Sequence, residues 1–266
     1  MTSIPSDIAP DAIQSRLTSR IVGRRLQVVA EIGSTNDAAM GAGQAGEPEG
    51  LAILADRQTS GRGRRGRSWA SIPGVGVCTS ILLRPSVSPL QAPLLTLMAA
   101  LATAEAIANV AQVEPVLKWP NDLLLDGRKV VGILTEMTTT GQRIGHVAVG
   151  IGINVHQRRE DFPEDVRDTA TSLDLAAGFR VERVEVVAAL YNSLDRWYAA
   201  VGGDGPSVVL QAARVRTVTI GKPVTVDTGD AQWQGTAVDL DEDGALLVLD
   251  GHGAVQRILA DDVSVR

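Results

Sequence analysis

The chain has 266 residues, enough for one substantial hydrophobic core and a small second domain. Hydrophobic residues make up 44% of the chain and charged residues 21%, which are ordinary values for a globular protein. The formal net charge of −6 and the pI near 5.1 argue against a general nucleic-acid binder, because such proteins are usually basic.

Cysteine, histidine and apolar residues exclude several further classes. Cys78 is the only cysteine, so the chain forms no intrachain disulfide and no cysteine-based metal site. The three histidines lack carboxylate or cysteine partners at ligand spacing, so we expect no metal site built from protein side chains alone. The N-terminus lacks the features of a signal peptide, and we find no window with the roughly 18 apolar residues of a membrane span. We therefore expect a cytoplasmic protein with no membrane partner.

Hydrophobic periodicity and turn residues predict the elements. In chain order they are a flexible or weakly helical segment at 1–24, a strand at 25–32, a turn at 33–37 into a short helix, a surface loop at 41–50, strands at 51–56 and 77–85, an apolar helix at 90–111, a hairpin within 117–137, a strand at 146–155 and an amphipathic helix at 182–201. Ser34 or Thr35 is the expected N-cap of the short helix, and capping alone would explain either residue.

The hairpin and the strand that follows it contain the most specific local signals. Asp126-Gly127 between two apolar runs predicts a type I′ turn, which places Lys129 on the returning strand, close to residues 119–122. In the strand at 146–155, Gly150 and Gly152 fall on the same face. Glycines weaken a strand because they leave nothing to pack, so we expect space for a flat ligand there.

The composition changes near residue 215. Short strands joined by tight Gly and Asp turns follow, and they predict a small β-barrel of about 50 residues. We therefore divide the chain into an N-terminal segment at 1–24, a larger domain at 25–214 and a small barrel at 215–266.

Residues 58–69, here called the arginine loop, carry the strongest chemical signal. Four arginines and three glycines occupy the seven positions from 61 to 67, and no Asp or Glu occurs between residues 57 and 104. Glycine allows close approach of the backbone to a ligand, and guanidinium groups bind phosphate or carboxylate in a bidentate manner. With no acid nearby in sequence, we expect an anionic ligand to neutralise this charge.

Several alternatives compete for the arginine loop. Its glycines match the G-x-G-x-x-G pattern of dinucleotide-binding folds, but the acidic residue about 20 positions on and the helix opening at the loop are both missing. Its sequence is also close to the P-loop pattern. However, Pro73 and two glycines follow where the phosphate-binding helix should begin. A Gly/Arg segment that binds RNA and a merely solvated basic loop are the other two alternatives.

Five motifs occur in a fixed order along the chain. They are Ser-Thr-Asn at 34–36, the arginine loop, Lys-Trp-Pro-Asn-Asp at 118–122 with Lys-x-x-Gly-Ile-Leu-x-Glu at 129–136, Gly-Ile-Gly-Ile-Asn at 150–154, and Ala-Thr-Ser-Leu at 170–173. This series resembles that of the biotin–protein ligases over roughly residues 25 to 266. The resemblance implies an α+β fold in which helices pack on a mixed β-sheet, as in class II aminoacyl-tRNA synthetases, followed by a Src-homology-3-like barrel.

The resemblance also implies a reaction and its residues. The family activates biotin with ATP to biotinyl-5′-AMP and transfers the biotinyl group to a lysine. Biotin contacts are implied for Ser34, Thr35, Asn36, Gln58, Arg62, Gly63, Arg64, Lys129 and Gly132. ATP or adenylate contacts are implied for Arg62, Arg64, Arg67, Trp69, Lys118, Asn121 and Asn154. Catalytic roles are implied for Lys129, Arg64, Asp122 and Lys118, with Mg²⁺ bound through ATP near Asp122. Trp69 as a plain core residue, and Lys118 as a simple ion-pair partner of Asp122, remain alternatives.

The resemblance further implies the partner, a biotin carboxyl carrier domain of an acyl-CoA carboxylase. Some family members carry an N-terminal DNA-binding domain, but only 33 residues precede Ser34, so we expect a monofunctional ligase without a DNA partner. The related lipoate ligases, which would use lipoate or octanoate, are the alternative within the superfamily. They generally lack the arginine-glycine loop. A nucleic-acid-binding module is the alternative from another class.

Overall fold

A computed structural model of the chain describes residues 4–227, 232–259 and 264–265. The strands of the larger unit are β1 (Arg25–Ile32), β2 (Leu51–Gln58), β3 (Gly76–Leu83), β4 (Val116–Lys118), β5 (Asp122–Leu125), β6 (Arg128–Thr140) and β7 (Arg143–Asn154). Its helices are α1 (Pro10–Gln14), α2 (Thr35–Gln44), α3 (Ala92–Ala111), α4 (Leu173–Ala177), α5 (Arg183–Gly203) and α6 (Ser207–Arg216).

The seven strands form one mixed sheet in the order β1-β2-β3-β7-β6-β5-β4, in which only β1 and β2 are parallel. Helices α3 and α5 contact each other and cover one face of the sheet with the main hydrophobic core. Helix α2 packs on the opposite face, where Ala39, Ile53 and Ala148 form a small separate cluster. The α+β architecture expected from the sequence is confirmed.

Helix α3 explains the most apolar stretch of the chain. With the turn before it, Pro89–Ala111 spans 23 residues, and its most apolar window has a mean hydropathy of 1.7, enough by length and composition to cross a membrane. The expectation that no window is that apolar is therefore wrong. Because 72% of this window is buried against the rest of the protein, the helix is apolar as part of the core.

Helix α2 is longer than expected, because it continues to Gln44 into the predicted surface loop at 41–50. Gly41 and Gly43 disfavour a helix, which is why the sequence predicted a loop. The structure supplies a reason for Gly43, since a Cβ there would lie 2.3 Å from the His146 ring. This glycine lets α2 approach β7 closely, and tertiary packing outweighs helix propensity.

The C-terminal unit is a five-stranded antiparallel sheet in the order β11-β10-β9-β8-β12. Its strands are β8 (Pro223–Asp227), β9 (Gln232–Leu240), β10 (Leu246–Asp250), β11 (Val255–Ile258) and β12 (Ser264–Val265). A separate sheet at this place agrees with the expected small barrel. The boundary predicted near 215 falls in the last turn of α6, and the parts of the predicted barrel at 228–231, 260–263 and 266 lie outside the described residues.

Trp119 joins the two units. Its buried indole donates a hydrogen bond to the carbonyl of Gly244 at 3.0 Å, and its backbone N–H donates to Thr219 Oγ1 at 3.0 Å. The outer edge of β4 is covered as well, since Leu117 forms a parallel bridge with Thr217. The Lys-Trp-Pro-Asn-Asp segment therefore rests on the C-terminal unit.

The N-terminal segment, expected to be flexible or weakly helical, contains a 3-10 turn at Ser6–Ile8 and helix α1. Ile8, Ile13 and Val22 are buried in the main core, a packing that the sequence did not predict. Arg183 on α5 is 1% exposed and binds both Asp7, at 2.8 Å, and Asp56, at 2.7 Å. This buried ion network attaches the segment to β2, just before the arginine loop. Residues 1–3 lie outside the described part.

Candidate active site

A cavity of about 530 Å³ lies between the arginine loop, the start of α2 and the glycine face of β6 and β7. Every site residue expected from the sequence lines it: Ser34, Thr35, Asn36, Gln58, Arg62, Gly63, Arg64, Arg67, Trp69, Lys118, Asn121, Asp122, Lys129, Gly132 and Asn154. Residues from five separate segments of the chain thus share one cavity. Its volume suits a small ligand of the size that proteins usually bury.

One end of the cavity, here called the neutral end, consists of uncharged polar groups at the start of α2. Ser34 caps this helix by accepting a hydrogen bond from the Asp37 N–H at 3.3 Å. The Thr35 backbone N–H and hydroxyl both donate to Gln58 Oε1, at 2.8 and 3.0 Å. Because Oε1 is occupied by two donors, the amide nitrogen of Gln58 remains as a donor for a ligand.

Hydroxyl protons are scarce at the neutral end. Ser80 Oγ lies 2.7 Å from Thr35 Oγ1 and 2.6 Å from Asn36 Oδ1, yet it has one proton to donate. The Asn36 amide nitrogen donates to the Leu134 carbonyl, at 3.1 Å, so Oδ1 must be the acceptor. The chain of contacts Asn36 Oδ1–Ser80 Oγ–Thr35 Oγ1–Gln58 Oε1 contains three oxygen–oxygen pairs, but only the two hydroxyl groups supply protons to them. The neutral end therefore has an excess of acceptors and favours a ligand that carries N–H donors.

The arginine loop folds back on itself beside this end. Arg62 and Ser68 form an antiparallel bridge, and the Trp69 N–H donates to the Gly61 carbonyl at 2.9 Å. Arg65 and Gly66 make the turn, with φ values of 55° and 71°. Glycine adopts this left-handed conformation without strain, which accounts for Gly66 at the tip.

Arg62 is neutralised by the protein itself. Its guanidinium lies 2.7 Å from Asp37 and 2.9 Å from Glu136, and the hydrogen bond with Asp37, followed by that with Glu136, raises the pKa of Arg62. The expectation that an anionic ligand would neutralise the loop charge is therefore wrong for this arginine. The acids are distant in sequence, and only the fold brings them near.

The other end of the cavity, here called the charged end, gathers the remaining cations. Lys129 Nζ lies 2.6 Å from Asp122 Oδ1 and 5.8 Å from the centre of the Trp69 ring. Arg64 donates to Asn121 Oδ1 at 3.1 Å. Within the described residues, neither Lys118 nor Arg67 has an acid at ion-pair distance, so the partner of Asp122 is Lys129 and not Lys118.

Trp69 lies flat on the glycine face of the sheet. A Cβ added at Gly132 would lie 2.8 Å from its ring, and one added at Gly152 would lie 2.4 Å from it. A Cβ at Gly150 would lie 2.2 Å from Asn36 Oδ1. The space expected there for a flat ligand is therefore occupied by two side chains of the protein, and the ligand space lies beside them.

Asn154 lines the cavity, but its amide is engaged. Its nitrogen donates to the Thr171 carbonyl at 3.0 Å, and its Oδ1 accepts from Gln157 at 3.3 Å. These bonds tie the end of β7 to the segment that contains the Ala-Thr-Ser-Leu motif. One N–H and one lone pair of Asn154 remain for a ligand.

Sequence reasoning missed several residues around the cavity. Ser80 and Glu136 bind the predicted residues from neighbouring strands, and Gln157 lines the charged end. The segment 161–170 forms one wall, held by the Lys129 N–H, which donates to the Thr169 carbonyl at 2.7 Å. Glu136 is the last residue of the Lys-x-x-Gly-Ile-Leu-x-Glu motif at 129–136, so the sequence drew attention to it but gave it no role.

The donor set around the cavity does not form a metal site by itself. Among residues 4–227, 232–259 and 264–265, no group of three or more His, Cys, Asp or Glu side chains lies together. One oxygen of Asp122 already contacts Lys129, which leaves at most the other for an ion. Any Mg²⁺ here must receive most of its ligands from phosphate oxygens and water.

Comparison with known proteins identifies the family. The family model described as "Biotin/lipoate A/B protein ligase family" matches residues 28–154, and "Biotin protein ligase C terminal domain" matches residues 219–266. The biotin--[acetyl-CoA-carboxylase] ligase of Mycobacterium tuberculosis is 34% identical over an alignment of 268 positions, gaps included, which covers 96% of this chain and 96% of that protein. The chain belongs to the biotin protein ligase family.

Two further proteins of this family are similar to the chain, one in sequence and one in structure. The bifunctional ligase/repressor BirA of Bacillus subtilis is 34% identical over 261 residues, which cover 98% of this chain and 80% of that protein. A biotin protein ligase from Aquifex aeolicus, solved in complex with biotin and ATP, superimposes with a TM-score of 0.78 at 31% identity. That superposition covers 91% of this chain and 99% of the other. The structural similarity confirms the fold of a biotin protein ligase. The length of 266 residues fits the monofunctional members of the family.

Proposed function

We propose that the protein is an ATP-dependent biotin–protein ligase and that the cavity is its active site. The observation that carries this proposal is one cavity with a neutral, acceptor-rich end and a charged end rich in Arg and Lys. Such a cavity suits a ligand that has a polar uncharged ring at one end and reacting anions at the other. Relatives named as biotin ligases, and one solved with biotin and ATP, support it.

The neutral end fits the ureido ring of biotin. A ureido group has two N–H donors and a carbonyl acceptor, which match the surplus oxygens around Ser80 and the amide nitrogen of Gln58. Lipoate and octanoate have no N–H group at the far end of their chains. They would leave these polar groups without partners, at a cost of about 1–3 kcal/mol for each. This difference favours biotin over the acids of the lipoate ligases.

The charged end fits the reacting anions. A carboxylate about 4 Å from a phosphate is repelled by about 4 kcal/mol per unit-charge pair at an effective dielectric near 20, but by only about 1 kcal/mol in water. A site that excludes water must therefore supply positive charge. We assign this to Arg64, Arg67, Lys118 and Lys129, with Trp69 stacking on the adenine and Asn121 and Asn154 as polar contacts.

The reaction follows from these placements. A biotin carboxylate oxygen bonds to the α-phosphorus of ATP, the bond from that phosphorus to the bridging oxygen breaks, and pyrophosphate leaves. The amine of an acceptor lysine then attacks the biotinyl carbonyl, AMP leaves with the electron pair of the broken bond, and the nitrogen loses a proton. Lys129 can bind the carboxylate throughout the first step, and Asp122 holds the Lys129 ammonium in place.

Mg²⁺, when it arrives with ATP, supplies charge neutralisation at the phosphates. Asp122 is the acid of the cavity closest to Lys129 and offers its second oxygen to the ion or to the incoming amine. The acceptor is a protein lysine, and we assign it to a biotin carboxyl carrier domain of an acyl-CoA carboxylase. The cytoplasmic location expected from the sequence belongs to the same proposal.

Pyrophosphate exchange tests the function directly. With labelled pyrophosphate, we expect biotin-dependent incorporation of label into ATP, and no incorporation with lipoate or octanoate. Exchange that depends on lipoate or octanoate instead of biotin would assign the protein to the lipoate ligases. No exchange with any acid, together with salt-sensitive RNA binding, would favour a nucleic-acid-binding module.

A further inference from the structure

Glu136 lies at the rim of the cavity without lining it. It follows Gly132 and Leu134 on the face of β6 that borders the cavity, and its side chain is 34% exposed. A residue in this place does not touch a ligand inside the cavity. Its effect on the reaction must therefore pass through the residues that it binds.

Those residues are Asn36 and Arg62. The Asn36 amide nitrogen donates to Glu136 Oε2 at 2.7 Å, and the Arg62 guanidinium donates to both carboxylate oxygens, at 3.0 and 2.9 Å. Hydrogen bonds to an ionised carboxylate are roughly twice as strong as those between neutral groups. One carboxylate thus joins a residue of the neutral end to a residue of the arginine loop.

The link fixes the direction of the Asn36 amide. Its nitrogen has two protons, and both have acceptors, namely the Leu134 carbonyl and Glu136. Its oxygen is therefore turned toward Ser80, which places it among the surplus acceptors of the neutral end. With an amide at this position, Asn36 and Arg62 share one uncharged acceptor oxygen in place of two charged ones, so the Asn36 amide is held less firmly.

We propose that Glu136 is the positioning residue that orients the neutral end toward the ring of biotin and fastens the arginine loop beside it. This role rests on the proposed function. It assigns Arg62 to a structural ion pair, so that Arg64 and Arg67 are the loop arginines that meet phosphate.

Asp37 and Glu31 provide matched controls. Asp37 is the second partner of Arg62, at 2.7 Å, and among the described residues its side chain makes no hydrogen bond with the Asn36 amide. Glu31 forms an ion pair with Arg57 at 2.9 Å on β1 and β2, where both side chains are 47% exposed. Glu136→Gln, Asp37→Asn and Glu31→Gln each replace one carboxylate with its isosteric amide.

Biotin-dependent pyrophosphate exchange is measured for the wild-type chain and the three variants, with biotin and ATP varied separately. We expect Glu136→Gln to raise KM for biotin about tenfold, equivalent to about 1.4 kcal/mol, and to change KM for ATP by less than about twofold. Asp37→Asn should leave KM for biotin within about twofold of the wild type, and Glu31→Gln should change neither constant.

An equal rise in the two KM values for Glu136→Gln, or the same KM for biotin in Glu136→Gln and Asp37→Asn, overturns the positioning role while the function stands. No biotin-dependent exchange in the wild-type chain overturns the proposed function and this role with it. Thermal unfolding followed by far-UV circular dichroism checks the fold. If Glu136→Gln does not fold, Glu136→Asp replaces it, with an expected KM for biotin between that of the wild type and tenfold higher. A wild-type value for Glu136→Asp then overturns the role.

Discussion

The two ends of the cavity are built on different physical principles. At the neutral end, Thr35, Asn36, Gln58 and Ser80 bind one another with short hydrogen bonds and carry no net charge. At the charged end, Lys118 and Arg67 have no acid at ion-pair distance within the described residues, and Lys129 has one. One end is almost complete without a ligand, whereas the other has excess positive charge.

This difference separates selection from catalysis. A network with few free positions rejects a ligand that cannot complete it, because unpaired buried groups are costly. Excess charge in a water-poor site instead stabilises whatever anions are placed there, including those that develop during the reaction. We therefore expect variants at the neutral end to change KM for biotin and variants at the charged end to change turnover or KM for ATP.

The largest effect is expected for Lys129→Gln. The variant removes the cation beside Asp122 that we assign to the carboxylate, so kcat/KM for pyrophosphate exchange should fall by about 100-fold or more. The adjacent Arg128 is exposed at the end of the hairpin, and Arg128→Gln is the control that should retain activity. Similar activity of the two variants would show that the charged end does not depend on this lysine.

Gly152→Ala tests the tryptophan at the charged end. The new Cβ would lie 2.4 Å from the Trp69 ring and must displace it, so we expect KM for ATP to rise by roughly 30-fold with a smaller change for biotin. Gly202→Ala on α5 is the control, because a Cβ there meets nothing within 4 Å. A selective rise in KM for biotin would mean that the ring belongs to the neutral end.

Thr35→Val tests the neutral end. It removes one of the two scarce hydroxyl protons and one donor to Gln58 Oε1, and we expect KM for biotin to rise about tenfold while KM for ATP stays nearly constant. Thr59→Val, at an exposed position of the arginine loop, should change neither. If Thr35→Val lowers turnover at saturating biotin instead, selection and catalysis are not separated as described.

The smallest effect lies outside the cavity. The hydrogen bond from Arg183 lowers the pKa of the Asp7 carboxyl, so the pairing stabilises the fold above the unfolded pKa, about 3.9, and is lost as the pH falls through the folded value. Asp7→Asn should lower stability at pH 7 by less than about 1 kcal/mol, because the side chain is 35% exposed. In denaturant titrations from pH 7 to pH 3, the difference from the wild type should be constant near pH 7 and should decrease once the pH falls below about 4. Altered KM values of Asp7→Asn at pH 7 would show that the Asp7–Arg183 ion pair also affects substrate binding in the cavity.

Local signals predicted the elements where short-range physics dominates. Strand β1 begins and ends where expected, at Arg25 and Ile32. The Asp126-Gly127 turn has positive φ at both residues, 49° and 75°, and the hairpin places Lys129 beside Asp122. These features depend on alternation and turn chemistry, which neighbouring residues carry.

Contacts between distant residues were not predictable in this way. Asn36 and Glu136 are 100 residues apart, and nothing in either segment shows that their side chains meet. The site residues were expected through the family resemblance. A resemblance indicates which residues belong to the site, but not which of their side chains contact each other. For that reason Arg62 was expected to face a ligand, whereas the fold places two carboxylates against it.

Trp119 links the residues of the cavity to the C-terminal fifth of the chain. Lys118, Asn121 and Asp122 line the cavity, while the indole between them is 1% exposed and bonded to Gly244 in the C-terminal sheet. Removing that sheet would uncover a large aromatic surface, which promotes association between chains. In a shortened chain, loss of activity would therefore be accompanied by loss of solubility.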